Sequence, residues 1–274
     1  MKKIMLTVIL IFSAQSSLAE IPSFTIYQNI LDQYVTAINL PDGGFETHVQ
    51  YQKIYDEKDG AKNRDEQLKI IEKFDPILLK DKDEALAFWI NTYNFFMISK
   101  ILKDGFKNKK LSINSVKDLG SFFSPYKAFS ALDFKVGGKA MSLDQIEKET
   151  LLGEAYKTKK WKDARIHFAV NCASVNCPPL SKKIYTPEKI NQQLDENITK
   201  ALKTKRHFHF AENRLYVTYL TKWYDADFNE DYGSVQNFLV QFTSDANLKA
   251  KIKTIKSFEY INYDWNLNIS ENFQ

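Results

Sequence analysis

From Ala85 to Leu102 the chain offers hardly any polar face: Leu86, Phe88, Trp89, Ile90, Tyr93, Phe95, Phe96, Met97, Ile98, Ile101 and Leu102 fill the segment. An apolar helix without a hydrophilic side belongs inside a protein, so this pattern predicts a central buried helix over about 82–103. Asp81-Lys-Asp-Glu84 supplies its start, an acidic N-cap followed three residues later by a glutamate. Asn91 and Asn94 interrupt the apolar run three residues apart, on adjoining faces. A buried amide without a partner costs about 1–3 kcal/mol. Each asparagine must therefore either pin a neighbouring loop or present its carboxamide to a site.

Elsewhere the pattern is more broken. Ile26, Tyr27, Ile30, Leu31, Tyr34 and Ile38 recur at helical spacing after Pro22, and Pro41-Asp-Gly-Gly44 ends the run. Gln67–Phe74 leans helical and stops before Pro76. Asp133–Met141 alternates around Gly137-Gly138, which predicts a hairpin, and Ser142-Leu-Asp-Gln145 is a capping box that starts a helix through about Leu152. Arg165–Cys172 also alternates and predicts a strand, with Ile166, Phe168, Val170 and Cys172 on the core face and Arg165, His167, Ala169 and Asn171 opposite. Thr186-Pro187 opens a helix that buries Ile190, Leu194, Ile198 and Leu202. His207–Phe210 and Arg214–Leu220 read as a second hairpin, Trp223–Phe228 as an aromatic and acidic loop, Ser234–Phe242 as a capped helix, and Phe258–Asn268 as a closing strand. Helices and hairpins without βαβ alternation give an α+β class: a helix-rich single domain, residues 20–274, with a small antiparallel sheet packed around the 82–103 helix.

The first residues change the picture of where this domain works. Met1-Lys2-Lys3, an apolar stretch from Ile4 to Ala14 and the small-residue site Ser17-Leu18-Ala19 form the pattern of a secretory signal peptide over residues 1–19. Its apolar core is shorter than the roughly 20 residues that span a bilayer, and no later segment stays apolar long enough. The expectation is an exported protein, periplasmic or secreted, without a transmembrane segment in its mature form and in a compartment where disulfides persist. Loss of Lys2 and Lys3 with the leader lowers the formal charge from +4 to +2 over the remaining 255 residues. So small an excess argues against nucleic acid as a partner. The runs Lys107–Lys110, Lys157–Lys162 and Lys249–Lys256 read as solvated faces.

Scarce reactive residues gather in Arg165–Pro179, which holds both cysteines and His167. Three arrangements suit Cys172 and Cys177. They can pair as a disulfide, since four intervening residues allow the chain to reverse. One of them can be a nucleophilic thiolate activated by His167, with Asn171, Asp225 or Asp227 orienting the imidazole. Both can ligate a metal with His167, although Cys-x4-Cys with one His lacks a fourth ligand. On the predicted strand Cys172 points away from His167, which leaves Cys177, on the loop stiffened by Pro178 and Pro179, as the freer thiol. His207 and His209 share a strand face, and Ser174 lacks a glycine elbow; neither makes a strong metal or serine-hydrolase signal. No cofactor is implied.

The chain resembles the family known as domain of unknown function 547. The resemblance rests on Ala87-Phe-Trp-Ile-Asn-Thr-Tyr-Asn94, Ser142-Leu-Asp-Gln-Ile-Glu147, Arg165-Ile-His-Phe-Ala-Val-Asn-Cys172, Cys177-Pro-Pro-Leu180, Trp223-Tyr224 with Asp227-Phe228, and Tyr263-Asp-Trp-Asn-Leu-Asn268, in that order across residues 45–268. It implies a shared pocket marked by Asn91, Asn94, Glu147, Arg165, His167, Cys172, Cys177, Trp223 and Asp227. One departure stands out: Lys148 follows Glu147 where the family typically has histidine. The residues together suggest a thiol-dependent hydrolase or acyl transferase on peptide, amide or cell-envelope material, with Cys177, Cys172, His167, Asn171 and Asp227 as catalytic candidates. The alternative is a non-catalytic binding or scaffold module with a structural Cys172–Cys177 disulfide.

Overall fold

The central helix spans Lys82–Asp104, and every residue from Ala85 through Leu102 is buried. Asp81 caps it by accepting the Glu84 N–H at 2.9 Å, while the Glu84 carboxylate reaches back to the Lys80 N–H at 3.0 Å. Lys100, only 5% exposed, is neutralised by Asp104 at 2.7 Å and by Asp133. The computed structural model describes residues 21–41, 43–212 and 214–273. The predicted leader, residues 1–19, lies outside them. No helix among the described residues is long and apolar enough to cross a membrane.

The fold is α+β and helix-rich, with small antiparallel sheets. Hairpins pair Val35–Asn39 with Phe45–Val49 and Phe134–Val136 with Lys139–Met141, the latter turning through Gly137 and Gly138 at φ +57° and +75°. These left-handed values are what glycine adopts without strain. Phe208–Ala211 and Arg214–Thr218 form a third hairpin, to which Glu259–Ile261 adds in parallel. The first helix, Thr25–Tyr34, is shorter than its spacing predicts. Val35 and Thr36 are β-branched and Ile38 follows, so the chain turns extended there and pairs Val35 with Val49.

Two apolar clusters fill the interior. One surrounds the central helix and takes in Tyr27, Leu31, Ile71, Ile146, Ile166 and Leu267. The other holds Phe168, Ile198, Leu215, Phe228, Phe238 and Ile252. The second is covered by the helices Ile190–Ala201, Asp225–Tyr232, Val235–Phe242 and Ala246–Thr254.

Three predicted elements take other forms. Residues predicted as the strand Arg165–Cys172 make a 3-10 turn, Ala164–Phe168, and then irregular chain. Side-chain amides supply the partners that a strand would have found in a ladder: Asn94 takes the Ala169 carbonyl at 2.9 Å and the Asn171 N–H at 2.7 Å, and Asn197 takes the Phe168 carbonyl. Ile166 packs into the first cluster and Phe168 into the second, so the alternation reflects two cores rather than two faces of a sheet. Trp223–Phe228 is helical at both ends, in Leu220–Trp223 and Asp225–Tyr232, because the Asp225-Ala-Asp227 start suits a first helical turn. Beyond Ile261 the closing segment is held by isolated bridges, Ser115 to Asn266 and Ser174 to Leu267, in place of a continuous strand.

Candidate functional site

His167 stands on the seam between the two clusters, flanked by Ile166 and Phe168. Asp163 accepts the Arg165 N–H at 3.0 Å and so starts the 3-10 turn that aims it. Its Nε2 lies 2.8 Å from Oδ2 of Asp227, and its ring stacks on Tyr224 at a centroid separation of 3.7 Å. The other Asp227 oxygen meets Lys162 at 2.7 Å, and Lys162 also binds Glu230. Burial pushes the Asp227 carboxyl upward, but hydrogen bonds and charge from His167 and Lys162 outweigh it and hold the pKa at about 2. An ionised Asp227 accepts from Nε2–H. That fixes the lone pair of a neutral imidazole on Nδ1, which has no hydrogen-bond partner among the described residues.

Cys172 and Cys177 are joined as a disulfide, with Cα atoms 6.2 Å apart, and no described cysteine is free. Cys172 is half-buried and Cys177 only 7% exposed, so the predicted order of accessibility is reversed. The strand alternation that set Cys172 aside does not exist. The Tyr263 hydroxyl approaches both sulfurs, at 3.4 and 3.3 Å, and Ser174 lies 3.1 Å from Cys172 Sγ. His167 makes no hydrogen bond to either sulfur.

The disulfide and His167 line one cavity of about 330 Å³, together with Glu147, Tyr93, Trp223, Tyr224, Tyr263 and Trp265. Glu147 sits on a π-helical segment, Gln145–Leu151, started by the reciprocal Ser142 and Gln145 capping bonds at 3.1 Å. Such windings often mark functional positions, since they shift side chains off the ordinary helical register. Tyr224 donates to Glu147 at 2.8 Å while stacking on His167, and so couples the two groups. Burial first, and then the Glu147 charge, raises the Tyr224 hydroxyl far above its ordinary range, which keeps it a donor.

Residues 78–200 match the family described as "Protein of unknown function, DUF547". Over that segment the chain is similar to this family. Comparison with curated proteins and with solved structures gave no match. The DUF547 segment supplies Glu147, His167 and both cysteines, whereas Asp227, Trp223, Tyr224, Tyr263 and Trp265 come from beyond it. The cavity therefore needs both parts of the chain.

Of the residues singled out from the sequence, His167, Cys172, Cys177, Glu147 and Trp223 meet at the cavity, and Asp227 holds His167 from behind. The others serve elsewhere. Asn91 clamps the Tyr185 backbone, donating to its carbonyl at 2.7 Å and accepting its N–H at 2.9 Å. Asn94 pins Ala169 and Asn171. Asn171 does not reach His167; it donates to the Pro178 carbonyl at 2.8 Å and accepts the Ala173 N–H at 2.9 Å, which shapes the disulfide loop. Arg165 is spent on Asp163 and Asp195. Asp225 bonds Asn229 on the surface. Lys148, the departure from the family pattern, stands at the rim paired with Asp144 at 2.7 Å. Tyr224, Tyr263 and Trp265 carry no catalytic signal of their own in the sequence beyond their membership of motifs. Their place among the quoted family pieces was the signal that marks them as cavity residues.

Proposed function

We propose that the protein is an exported hydrolase or acyl transferase for peptide, amide or cell-envelope material, with Cys172 as nucleophile, His167 as general base and Asp227 orienting the imidazole. The observation that supports this is the unpartnered, buried Nδ1 of His167, a residue that lines the same cavity as the sulfurs. His207 also has an unpartnered Nδ1, but it borders a pocket of only about 10 Å³. A buried orphan nitrogen costs about 1–3 kcal/mol, and beside a roomy cavity a substrate can satisfy it.

The chemistry begins with a dithiol reductant, which takes up the oxidising equivalents of the disulfide and leaves two thiols. Cys172, the more exposed sulfur, attacks the carbonyl carbon of a bound amide or ester while its proton passes to His167 Nδ1, directly or through one water. The carbonyl re-forms, the leaving amine or alcohol takes that proton, and water or an acceptor amine then releases the acyl group from the thioester. The second reading, a binding or scaffold module, is favoured by the closed disulfide itself.

The test is the rate of iodoacetamide alkylation of Cys172 against pH in the Cys177→Ser protein, with and without His167→Ala. Activation predicts an inflection at least a unit below the ordinary value of about 8.5, restored to that value when His167 is removed. An ordinary thiol profile in both proteins overturns the catalytic reading and leaves the binding module.

A further inference from the structure

Phe122 and Phe123 are 93% and 94% exposed, although most large apolar side chains in the described residues are at least partly covered. They occupy a tight turn closed by reciprocal backbone bonds between Ser121 and Ser124, at 3.1 and 3.0 Å, and strengthened by Ser121 Oγ. The rings stand edge to face, 5.4 Å apart. The turn holds them outward as a two-ring projection. Tyr126, 48% exposed, follows directly and packs on Trp265 at 5.2 Å; both also line the cavity.

The sequence on either side of the turn is basic. Residues 105–132 contain Lys107, Lys109, Lys110, Lys117 and Lys127 against the single acid Asp118, a net +4 that equals the formal charge of the entire chain. The rest of the sequence is neutral on balance. Asp118 is occupied by the backbone N–H groups of Asn114 and Ser115, at 2.8 and 2.9 Å. None of the five lysines forms an ion pair among the described residues. Lys117 lies over the Tyr126 and Trp265 rings, at 5.5 and 4.8 Å.

We propose that the Phe122–Phe123 turn inserts into the surface of an anionic lipid bilayer and brings the cavity mouth to the membrane. Projecting phenylalanines enter the acyl boundary, tyrosine and tryptophan settle at headgroup level, and lysines meet anionic headgroups. A protein partner would need a groove for two narrow projecting rings, whereas a bilayer accepts them in any orientation about its normal. The inference stands apart from the catalytic reading.

The full chain is sedimented with vesicles of phosphatidylcholine alone and of phosphatidylcholine with one third phosphatidylglycerol. Binding to the anionic vesicles is expected to exceed binding to the neutral ones and to weaken with salt. The double variant Phe122→Ser, Phe123→Ser should reduce partitioning about tenfold or more, and Lys117→Gln roughly fivefold. Because both rings are exposed, the double variant should keep the wild-type thermal unfolding curve. Failure of the wild-type chain to bind either vesicle, or equal binding by the double variant, overturns the proposal. So does self-association in buffer that the double variant abolishes, which would assign the projection to a protein contact.

Discussion

Replacing Asp227 by asparagine keeps the side-chain shape and removes the charge that His167 and Lys162 share. In the folded protein burial alone would raise this carboxyl, but those two partners bring it from 3.8 to about 2. A gap of about 1.8 pH units corresponds to about 2.4 kcal/mol at 1.36 kcal/mol per unit. The carboxylate is open to water on one side, so screening reduces the expected contribution to about 1–2 kcal/mol. Because the folded pKa lies below the unfolded one, this stability is present above about pH 4 and is lost as the pH falls through about 2. Urea unfolding of wild type and Asp227→Asn should therefore differ by about 1–2 kcal/mol near pH 6, and by about a third of that near pH 2.5. Titrating groups away from the Asp227, His167 and Lys162 cluster are common to both proteins and cancel in the difference. A gap that stays constant over that range, or one below about 0.3 kcal/mol near pH 6, would refute the charge pairing as the source of the stability.

Two further outcomes follow from the same structure. Asn94→Leu removes the partners of the Ala169 carbonyl and the Asn171 N–H, both buried, and should lower stability by about 2–4 kcal/mol in urea unfolding; a loss under about 1 kcal/mol would mean that water replaces the amide. His207, 2% exposed, is held neutral mainly by burial and secondarily by Arg206, with its pKa lowered to about 4. Stability should therefore drop as the pH falls from about 6.5 to about 4, by up to about 3 kcal/mol, and His207→Gln should flatten that slope; an unchanged slope would assign it to another group.

The central helix was legible from sequence because its whole length is apolar and its N-cap is local, so no distant partner was needed to recognise it. The Gly137-Gly138 hairpin and the Ser142 capping box were legible for the same reason. His167, Glu147 and the cysteines could be nominated by scarcity and motif. Their geometry could not. The segment after Arg165 takes its shape from Asn94 and Asn197, whose amides replace a strand's ladder, and nothing within the segment encodes that. Alternation of Ile166 and Phe168 read as one buried face because a sequence does not distinguish one core from two. The choice between Asp225 and Asp227 depended on helical phase in a stretch read as a loop.

Asn94 meets Asn171 across 77 positions, and Asn268 donates to the Asn171 carboxamide across 97. The disulfide loop is thus held from the core as well as by its own bonds between Asn171 and both the Pro178 carbonyl and the Ala173 N–H. The cavity wall it forms is therefore complete only where the central helix and the 263–268 segment are both docked. Hydrogen exchange offers a direct reading: the Asn171 amide should open together with Asn94 on the central helix rather than with its chain neighbours.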